Sequence, residues 1–520
     1  MNANLFAAIA AAMPADRDRI AIEIADPADG RIEREVSWGE LESRTAQIAN
    51  LLVSLKLAPG ARVAVQTEKS VEALMLYLAV IRAGYVYLPL NTAYQSSEID
   101  YFVGNAQPSV FVCSTKNLAW TEPIARANGV HHVFTLDDLS TANTGTLLDA
   151  SRLHSTAHDI ALKADDDLAA ILYTSGTTGR SKGAMLSHQN LRSNAQTLVS
   201  YWGWSANDVL IHALPIFHVH GLFVASHCFL LAGAKLIWFS KFDPKGVIAQ
   251  FNRATVFMGV PTLYVRLLAE AGLDRDACKN MRLFVAGSAP LLIETFNAFR
   301  ERTGHTILER YGMSETNMLC SNPYAASDGE RRGGTVGFPL PDVQVRVSND
   351  RGERCATDEI GDIEVRGPNV FSGYWRMPEK TKEEFTADGW FKTGDVGKCD
   401  PRGYFTIVGR SKDLIISGGY NVYPAEIESY LNEMTGVAES AVIGVPHPDF
   451  GEAVVAVVVR KSGAALDAAA MIATLKSQIA NFKVPKQLFV VNELPRNAMG
   501  KVQKNVLRAQ HAELFAAKSN

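Results

Sequence analysis

The residues Thr174-Ser175-Gly176-Thr177-Thr178-Gly179-Arg180-Ser181-Lys182-Gly183 follow an apolar run, LAAILY, and precede a helix-like stretch that begins near Ser187. Glycines there let backbone N–H groups turn inward as an anion-binding nest, and the hydroxyls and the Lys182 ammonium add donors for phosphate oxygens. The segment is not a Walker A loop, because Ser181 stands where that pattern needs a glycine. The bland alternative is a flexible Gly/Ser/Thr turn. Such turns rarely close a buried strand with a lysine set inside them, so phosphate binding is the chemistry expected.

Other segments carry weaker local signals. Glu309-Arg310-Tyr311-Gly312-Met313-Ser314-Glu315-Thr316 reads as a strand and its turn, with Glu315 offering the hard oxygen that Mg²⁺ prefers. Gly287-Ser288-Ala289-Pro290 reads as a strand-to-helix turn. In Thr393-Gly394-Asp395 the carboxylate can accept from both hydroxyls of a sugar. Gly409-Arg410-Ser411-Lys412-Asp413 is a basic turn, open between a solvated surface and a nucleotide contact. The glycine pair in Ser417-Gly418-Gly419-Tyr420 would let a thin chain pass close to backbone. Pro495-Arg496-Asn497-Ala498-Met499-Gly500-Lys501 ends on a loop lysine. His218 and His220 have metal-like HxH spacing without an evident third ligand, which favours a pocket-lining or core role.

Taken in order, these segments resemble the acyl-adenylate-forming superfamily, which includes acyl-CoA synthetases, nonribosomal peptide adenylation domains and beetle luciferases. The resemblance spans nearly the whole chain. It implies ATP, Mg²⁺ and coenzyme A as small-molecule partners of an AMP-forming acid–thiol ligase. Thr174, Ser175, Gly176, Thr177, Thr178, Gly179 and Lys182 would form the phosphate loop. Gly287, Ser288 and Ala289 would border adenine, Tyr311 would stack on it, and Glu309, Arg310, Gly312 and Met313 would complete the nucleotide motif. Ser314 would donate to the α-phosphate, Glu315 would bind the metal, and Asp395 would hold the ribose with Arg410 nearby. Lys412 would be the hinge, Gly418 and Gly419 would flank the pantetheine path, and Lys501 would drive adenylation. This chain departs from the usual pattern at Ser181, where Pro is common, and at Ser314, where Thr is common; neither change removes a donor.

The implied acid is narrower. QTEKSVEALMLYLAV, YLPLNTAYQ, HALPIFHVHGLFVAS and MGKVQKNVLR are similar to bacterial malonyl-CoA synthetases, which points to malonate, with methylmalonate close behind. In Met258-Gly259-Val260-Pro261-Thr262-Leu263-Tyr264-Val265-Arg266-Leu267-Leu268, Pro261 suits a helix start and the residues are apolar around most of the helix except Arg266. Such an arginine needs a carboxylate or must reach water. It can pair with the second carboxylate of a dicarboxylic acid, or with an internal Asp or Glu. Ser288, His218 and Met313 are expected beside it. Alternatives are a short-chain monocarboxylate–CoA ligase, a module that loads a carrier protein, and a non-catalytic nucleotide binder.

The elements that must hold these residues follow from patterning. ARVAVQT, SVEALMLYLAVIRAG and VYLPLN alternate strand, helix and strand, as do NMRLFVAGSAP, LLIETFNAFRERTG and HTILERYG, which predicts largely parallel sheets covered by helices. From Gly334 to Val408 the runs become short, β-branched and Gly/Pro-bounded, which predicts an antiparallel or barrel-like region. The expected architecture is α/β: a large N-terminal domain of two α/β sheet subdomains plus a β-barrel-like subdomain over 1–409, a hinge at 410–413, and a small mobile α+β domain over 414–520. A chain of 520 residues is too long for one core. A net charge of -4 gives no reason to invoke nucleic acid or an anionic membrane. Six cysteines without a CxxC pair read as reduced thiols, and the start lacks the basic flank of a secretion signal, so a cytoplasmic enzyme is expected.

Overall fold

The structure is a computed structural model that describes residues 2–137, 144–174, 181–417, 420–497 and 500–515. The chain divides into two compact units, 1–345 with 365–391, and 346–364 with 392–520. The expected hinge at 410–413 lies inside the second unit.

The first unit holds two large sheets. One has six strands in the order His132–Thr135, Val110–Cys113, Arg62–Gln66, Val86–Pro89, Leu168–Thr174 and Lys182–Ser187. Its first five strands are parallel and the last pairs antiparallel. The other has nine strands, with a parallel centre that includes Val209–His212, Val256–Gly259, Leu283–Ala286 and Leu308–Met313. Parallel sheets need cover on both faces, and the buried strands VFVC and LFVA accordingly show no alternation. Between the second sheet and its helices lies an aromatic core: Phe257, Phe284, Phe299 and Tyr264 are all fully buried, with Phe284 and Phe299 4.9 Å apart edge to face.

Helix Leu5–Ala12 is capped by Asn4. Asn4 Oδ1 accepts from the Phe6 N–H at 2.9 Å, and Asn4 Nδ2 donates to the Ile81 carbonyl at 2.8 Å. The apolar run from Gly221 to Ala234 is largely helical and buried. Its first turn, His220–Ala225, is π-wound and the remainder, Ser226–Ala232, is α-helical.

Strands Gln344–Ser348, Gly361–Arg366, Phe391–Cys399 and Phe405–Arg410 form a four-stranded sheet in that order, belonging mostly to the second unit. That unit also holds a five-stranded sheet around Gly451–Arg460. Val454, Ala456 and Val458 pack into one core, and Ala453, Val455, Val457 and Val459 into another. Burial on both faces is why AVVAVVVR is continuous rather than alternating. No helix among the described residues is long and apolar enough to cross a membrane.

Candidate active site

The phosphate-loop segment connects two antiparallel neighbours. Thr174 ends one strand and stands opposite Lys182, which begins its antiparallel neighbour. The helix His188–Tyr201 starts only after that second strand, capped by Ser187, whose Oγ accepts from the Asn190 N–H. Ser175, Gly176, Thr177, Thr178 and Gly179 lie outside the described residues, as do Gly418 and Gly419. The flanking residues are well placed. Thr174 Oγ1 donates to Glu315 Oε1 at 3.2 Å, joining the loop's entry to the turn between Leu308–Met313 and Asn317–Ser321. Glu315 is buried, and Tyr374 Oη donates to the same oxygen at 3.1 Å. Lys182 Nζ lies 3.1 Å from Glu384 and 4.2 Å from the Tyr374 ring centroid.

Glu309 and Arg310 are neighbours on a strand covered on both sides, so both side chains are buried. Glu309 organises protein rather than facing open space. Its Oε1 accepts from the Leu291 N–H at 3.2 Å, tying down the Gly287–Leu291 turn. Burial pushes its carboxyl up to about 8, against the pull of the Leu291 and Gly334 N–H groups.

Arg310 is different. It is 3% exposed, its Nε and Nη2 have no hydrogen-bond partner, and burial pulls its guanidinium down to about 9. Gly287 passes so close that a Cβ there would lie 2.6 Å from Arg310 Cζ. Next to this cation sits His220, whose Nδ1 is 3.3 Å from Ser288 Oγ and whose Nε2 is unpartnered. Burial, then the charge of Arg310, drives His220 far below its ordinary range, so the ring is neutral. Ser288 holds a left-handed φ of 72°, unusual for a non-glycine residue and a form of strain that gathers at functional sites. His218 is half-buried, and its Nδ1 accepts from the His220 N–H at 3.3 Å. Behind this pair, His212 Nε2 is 2.9 Å from the Gly221 carbonyl, which also accepts from Ser226 Oγ.

These groups stand at or just beyond the carboxyl ends of Leu168–Thr174, Val209–His212, Leu283–Ala286 and Leu308–Met313, where open α/β sheets bind ligands. Ser314, Met313 and Tyr311 are half-buried on the adjoining hairpin. Gly312 is required there: a Cβ would fall 1.9 Å from the Asn317 carbonyl oxygen. Ala289 is half-buried in the turn that holds Ser288.

Arg266 departs from the expected setting. Helix Pro261–Leu268 buries Tyr264 and Leu267, a spacing of three, and turns Val265 and Arg266 outward. Arg266 is exposed and its guanidinium stacks on Phe242 at 4.9 Å. The helix is therefore less apolar in its surroundings than its composition implies, and the arginine meets water directly.

In the second unit Asp395 is buried and its Oδ1 lies 2.6 Å from Arg410 Nε, across the pairing of Phe391–Cys399 with Phe405–Arg410. Lys412 follows in an exposed 3₁₀ turn. Lys501 closes a tight loop: its N–H donates to Asn497 Oδ1 at 3.0 Å, and the Asn497 N–H donates to the Lys501 carbonyl at 2.9 Å. Arg496 pairs with Glu439 and donates to the Gly500 carbonyl at 2.6 Å, bracing that loop.

A family model described as AMP-binding enzyme matches residues 10–375, and one described as AMP-binding enzyme C-terminal domain matches 426–501. The chain belongs to the AMP-binding enzyme family. The malonate–CoA ligase of Arabidopsis thaliana is 34% identical, over 94% of this chain and 86% of the relative. The mitochondrial malonate–CoA ligase ACSF3 of Homo sapiens is 36% identical, over 82% of this chain and 78% of the relative. The crystal structure of ATP-bound MatB from Rhodopseudomonas palustris superposes with a TM-score of 0.94 at 54% identity, over 99% of this chain and 100% of that one. The segments predicted to bind phosphate and metal, 174–183 and 309–316, fall inside the span that the AMP-binding enzyme model matches. Tyr374 lies in none of the segments singled out from the sequence, His220 entered only as a pocket-lining or core histidine, and Arg310 was expected at the nucleotide. The signals for these roles, burial without a partner and contacts across distant segments, exist only in three dimensions.

Proposed function

We propose that this enzyme converts malonate, ATP and coenzyme A to malonyl-CoA, AMP and diphosphate through a malonyl-adenylate. The observation that carries the acid is the Arg310 guanidinium, buried with Nε and Nη2 unpartnered beside His220 and Ser288. Leaving a charge in that state costs several kcal/mol, which an anionic ligand offsets. One carboxylate of malonate meets Arg310 and the Ser288 hydroxyl, leaving the other to react. A neutral His220 keeps a second cation out of the floor while offering a polar edge. Arg266 is assigned as an outer cation, exposed on the helix that also carries the buried Tyr264. His218 and Met313 complete the lining. This reading moves Arg310 from the nucleotide to the acid.

In the first step the free carboxylate oxygen attacks the α-phosphorus, the bond to the bridging β-phosphate oxygen breaks, and diphosphate leaves. Two anions must meet, so the barrier is largely electrostatic. Lys501 is assigned to hold the carboxylate against the α-phosphate, Lys182 and the phosphate loop to hold the departing diphosphate, and Ser314 to donate to the α-phosphate. Glu315, buried with two hydroxyls donating to one oxygen, fits a magnesium ion, which takes one or two carboxylates along with substrate phosphates. When bound, that ion supplies positive charge to the phosphates. Asp395 and Arg410 are assigned to the ribose side. In the second step the thiolate sulfur of coenzyme A attacks the anhydride carbonyl carbon, the C–O bond breaks and AMP leaves. The 410–413 segment, with Lys412, is assigned as the hinge between the two half-reactions, and Gly418-Gly419 as the pantetheine path. Six free cysteines suit a reducing compartment, and we place the enzyme in the cytoplasm.

The test is a CoA-dependent AMP-release assay over malonate, methylmalonate, acetate, butyrate and benzoate. A site built around a buried cation should prefer malonate to the monocarboxylates by about 10³-fold or more in kcat/KM. Acetate or butyrate within tenfold of malonate would remove the dicarboxylate assignment.

A further inference from the structure

The segment Phe371–Trp375 lies against the strand that leaves the phosphate loop. The Trp375 N–H donates to the Gly183 carbonyl at 2.8 Å, the Met185 N–H donates to the Gly373 carbonyl at 3.0 Å, and Tyr374 bridges to Ala184. Tyr374 is thereby fixed beside Lys182 and is only 3% exposed. Its N–H donates to Thr381 Oγ1 at 2.9 Å, and Phe371 packs edge-on at 4.9 Å. The Phe371 N–H in turn donates to the Glu315 carbonyl at 2.8 Å. One side chain therefore touches both charged groups: the ring lies under Lys182 Nζ, and the hydroxyl donates to Glu315 Oε1.

We propose that Tyr374 is a positioning residue for adenylation, whose ring seats the phosphate-loop lysine while its hydroxyl sets the rotation of the metal-binding carboxylate. The proposal rests on the reading of Lys182 and Glu315 as nucleotide and metal groups. The chemistry of tyrosine suits both tasks. A phenol donates to a carboxylate without neutralising it, so Glu315 keeps the charge a cation needs. An aromatic face attracts an ammonium without taking its N–H donors, which stay available to phosphate. Glu384, the other partner of Lys182, is a carboxylate that the triphosphate must outcompete; the ring contact can persist when the lysine turns to its substrate.

Tyr374→Phe keeps the ring and removes the hydroxyl, whereas Tyr374→Leu removes both. ATP binding by calorimetry, without acid or coenzyme A and with Mg²⁺ varied, separates the two tasks. Tyr374→Phe should raise the Mg²⁺ needed for half-maximal ATP binding about tenfold, the loss of one hydrogen bond to a charged group, with Mg²⁺-free binding unchanged. Its KM for Mg²⁺ in the full reaction should rise in step, with kcat at saturating Mg²⁺ retained. Tyr374→Leu should also weaken Mg²⁺-free ATP binding, and that extra loss should vanish in a Lys182→Met background. A Tyr374→Phe enzyme with unaltered Mg²⁺ dependence would overturn the proposal, provided Glu315→Gln shifts that dependence. If Glu315→Gln leaves it unaltered too, the metal assignment of Glu315 fails, and the proposal with it.

Discussion

The two compact units differ in their buried polarity, although both contain ion pairs. Among the described residues, every buried side-chain nitrogen or oxygen without a hydrogen-bond partner lies in the first unit. They include Arg310 Nε and Nη2, Glu309 Oε2, His220 Nε2 and His212 Nδ1, all near the carboxyl ends of the parallel strands. In the second unit the charges have protein partners: Asp395 with Arg410 at 2.6 Å, Asp413 with Arg508 at 2.6 Å, Glu426 with Lys483 at 2.6 Å and Glu428 with Lys504 at 2.6 Å. Unmet buried groups are rare and demand an explanation. Under the proposed function, Arg310 in the first unit is a cation awaiting an acid, while the charges named in the second unit meet protein partners.

That contrast breaks most visibly at Arg310. Arg310→Met should lower kcat/KM for malonate by about 10³-fold, the order expected when a buried charge loses its partner. The same change should leave the melting temperature unchanged or raise it, because an unpaired buried charge is replaced by an apolar side chain of similar length. Steady-state kinetics and a thermal melt on one preparation decide it. Turnover within tenfold of wild type, with a melting temperature several degrees lower, would make Arg310 structural.

Asp395→Asn probes the other side. Removing the charge from a buried, paired carboxylate should cost about 1–2 kcal/mol of stability, in contrast to the change at Arg310. It should also raise KM for ATP about tenfold if the carboxylate accepts from the ribose hydroxyls. Urea unfolding followed in the second unit and ATP titrations measure the two effects separately.

Glu309 sharpens the comparison by its pH dependence. With a native value near 8 against an ordinary one of 4.5, the folded protein binds more protons than the unfolded chain between those limits. Stability from this group therefore falls as pH rises through that window and is flat above about 8. Glu309→Gln removes the slope. The stability of Glu309→Gln relative to wild type should grow by ~2 kcal/mol from pH 6 to pH 8, measured by urea unfolding at each pH. A constant difference would mean that Glu309 is ionised throughout.

The sequence made much of this fold legible because its signals are local. Strand–helix–strand alternation predicted the parallel sheets, and the order of motifs pointed to the family. The burial of both Glu309 and Arg310 was not legible. Strand alternation would place Glu309 and Arg310 on opposite faces and expose one of them, but a strand covered on both sides buries both. What each of the two side chains meets depends on Leu291, which donates to Glu309, and Gly287, which passes close to Arg310, both brought there by the next strand over. Tyr374 lies in no phosphate-binding motif, and only the pairing of its segment with Lys182–Ser187 brings it to Glu315 and Lys182. For Arg266 the sequence left a carboxylate partner or water open, and the helix PTLYVRLL, which buries only Tyr264 and Leu267, turns it to water.

Arg266→Ala gives the smallest expected effect and tests how far the first unit's readiness extends. The guanidinium is exposed and its visible contact is the Phe242 ring, so stability should change by about 0.5–1 kcal/mol. Its electrostatic reach toward a bound acid is screened by water, unlike that of Arg310. KM for malonate should therefore rise only about three- to tenfold, with kcat retained, and the rise should shrink as salt is added. Salt independence together with a loss as large as that of Arg310→Met would require Arg266 to turn inward when the acid binds. The acid would then be held by two desolvated cations, and the pocket would be completed by its substrate.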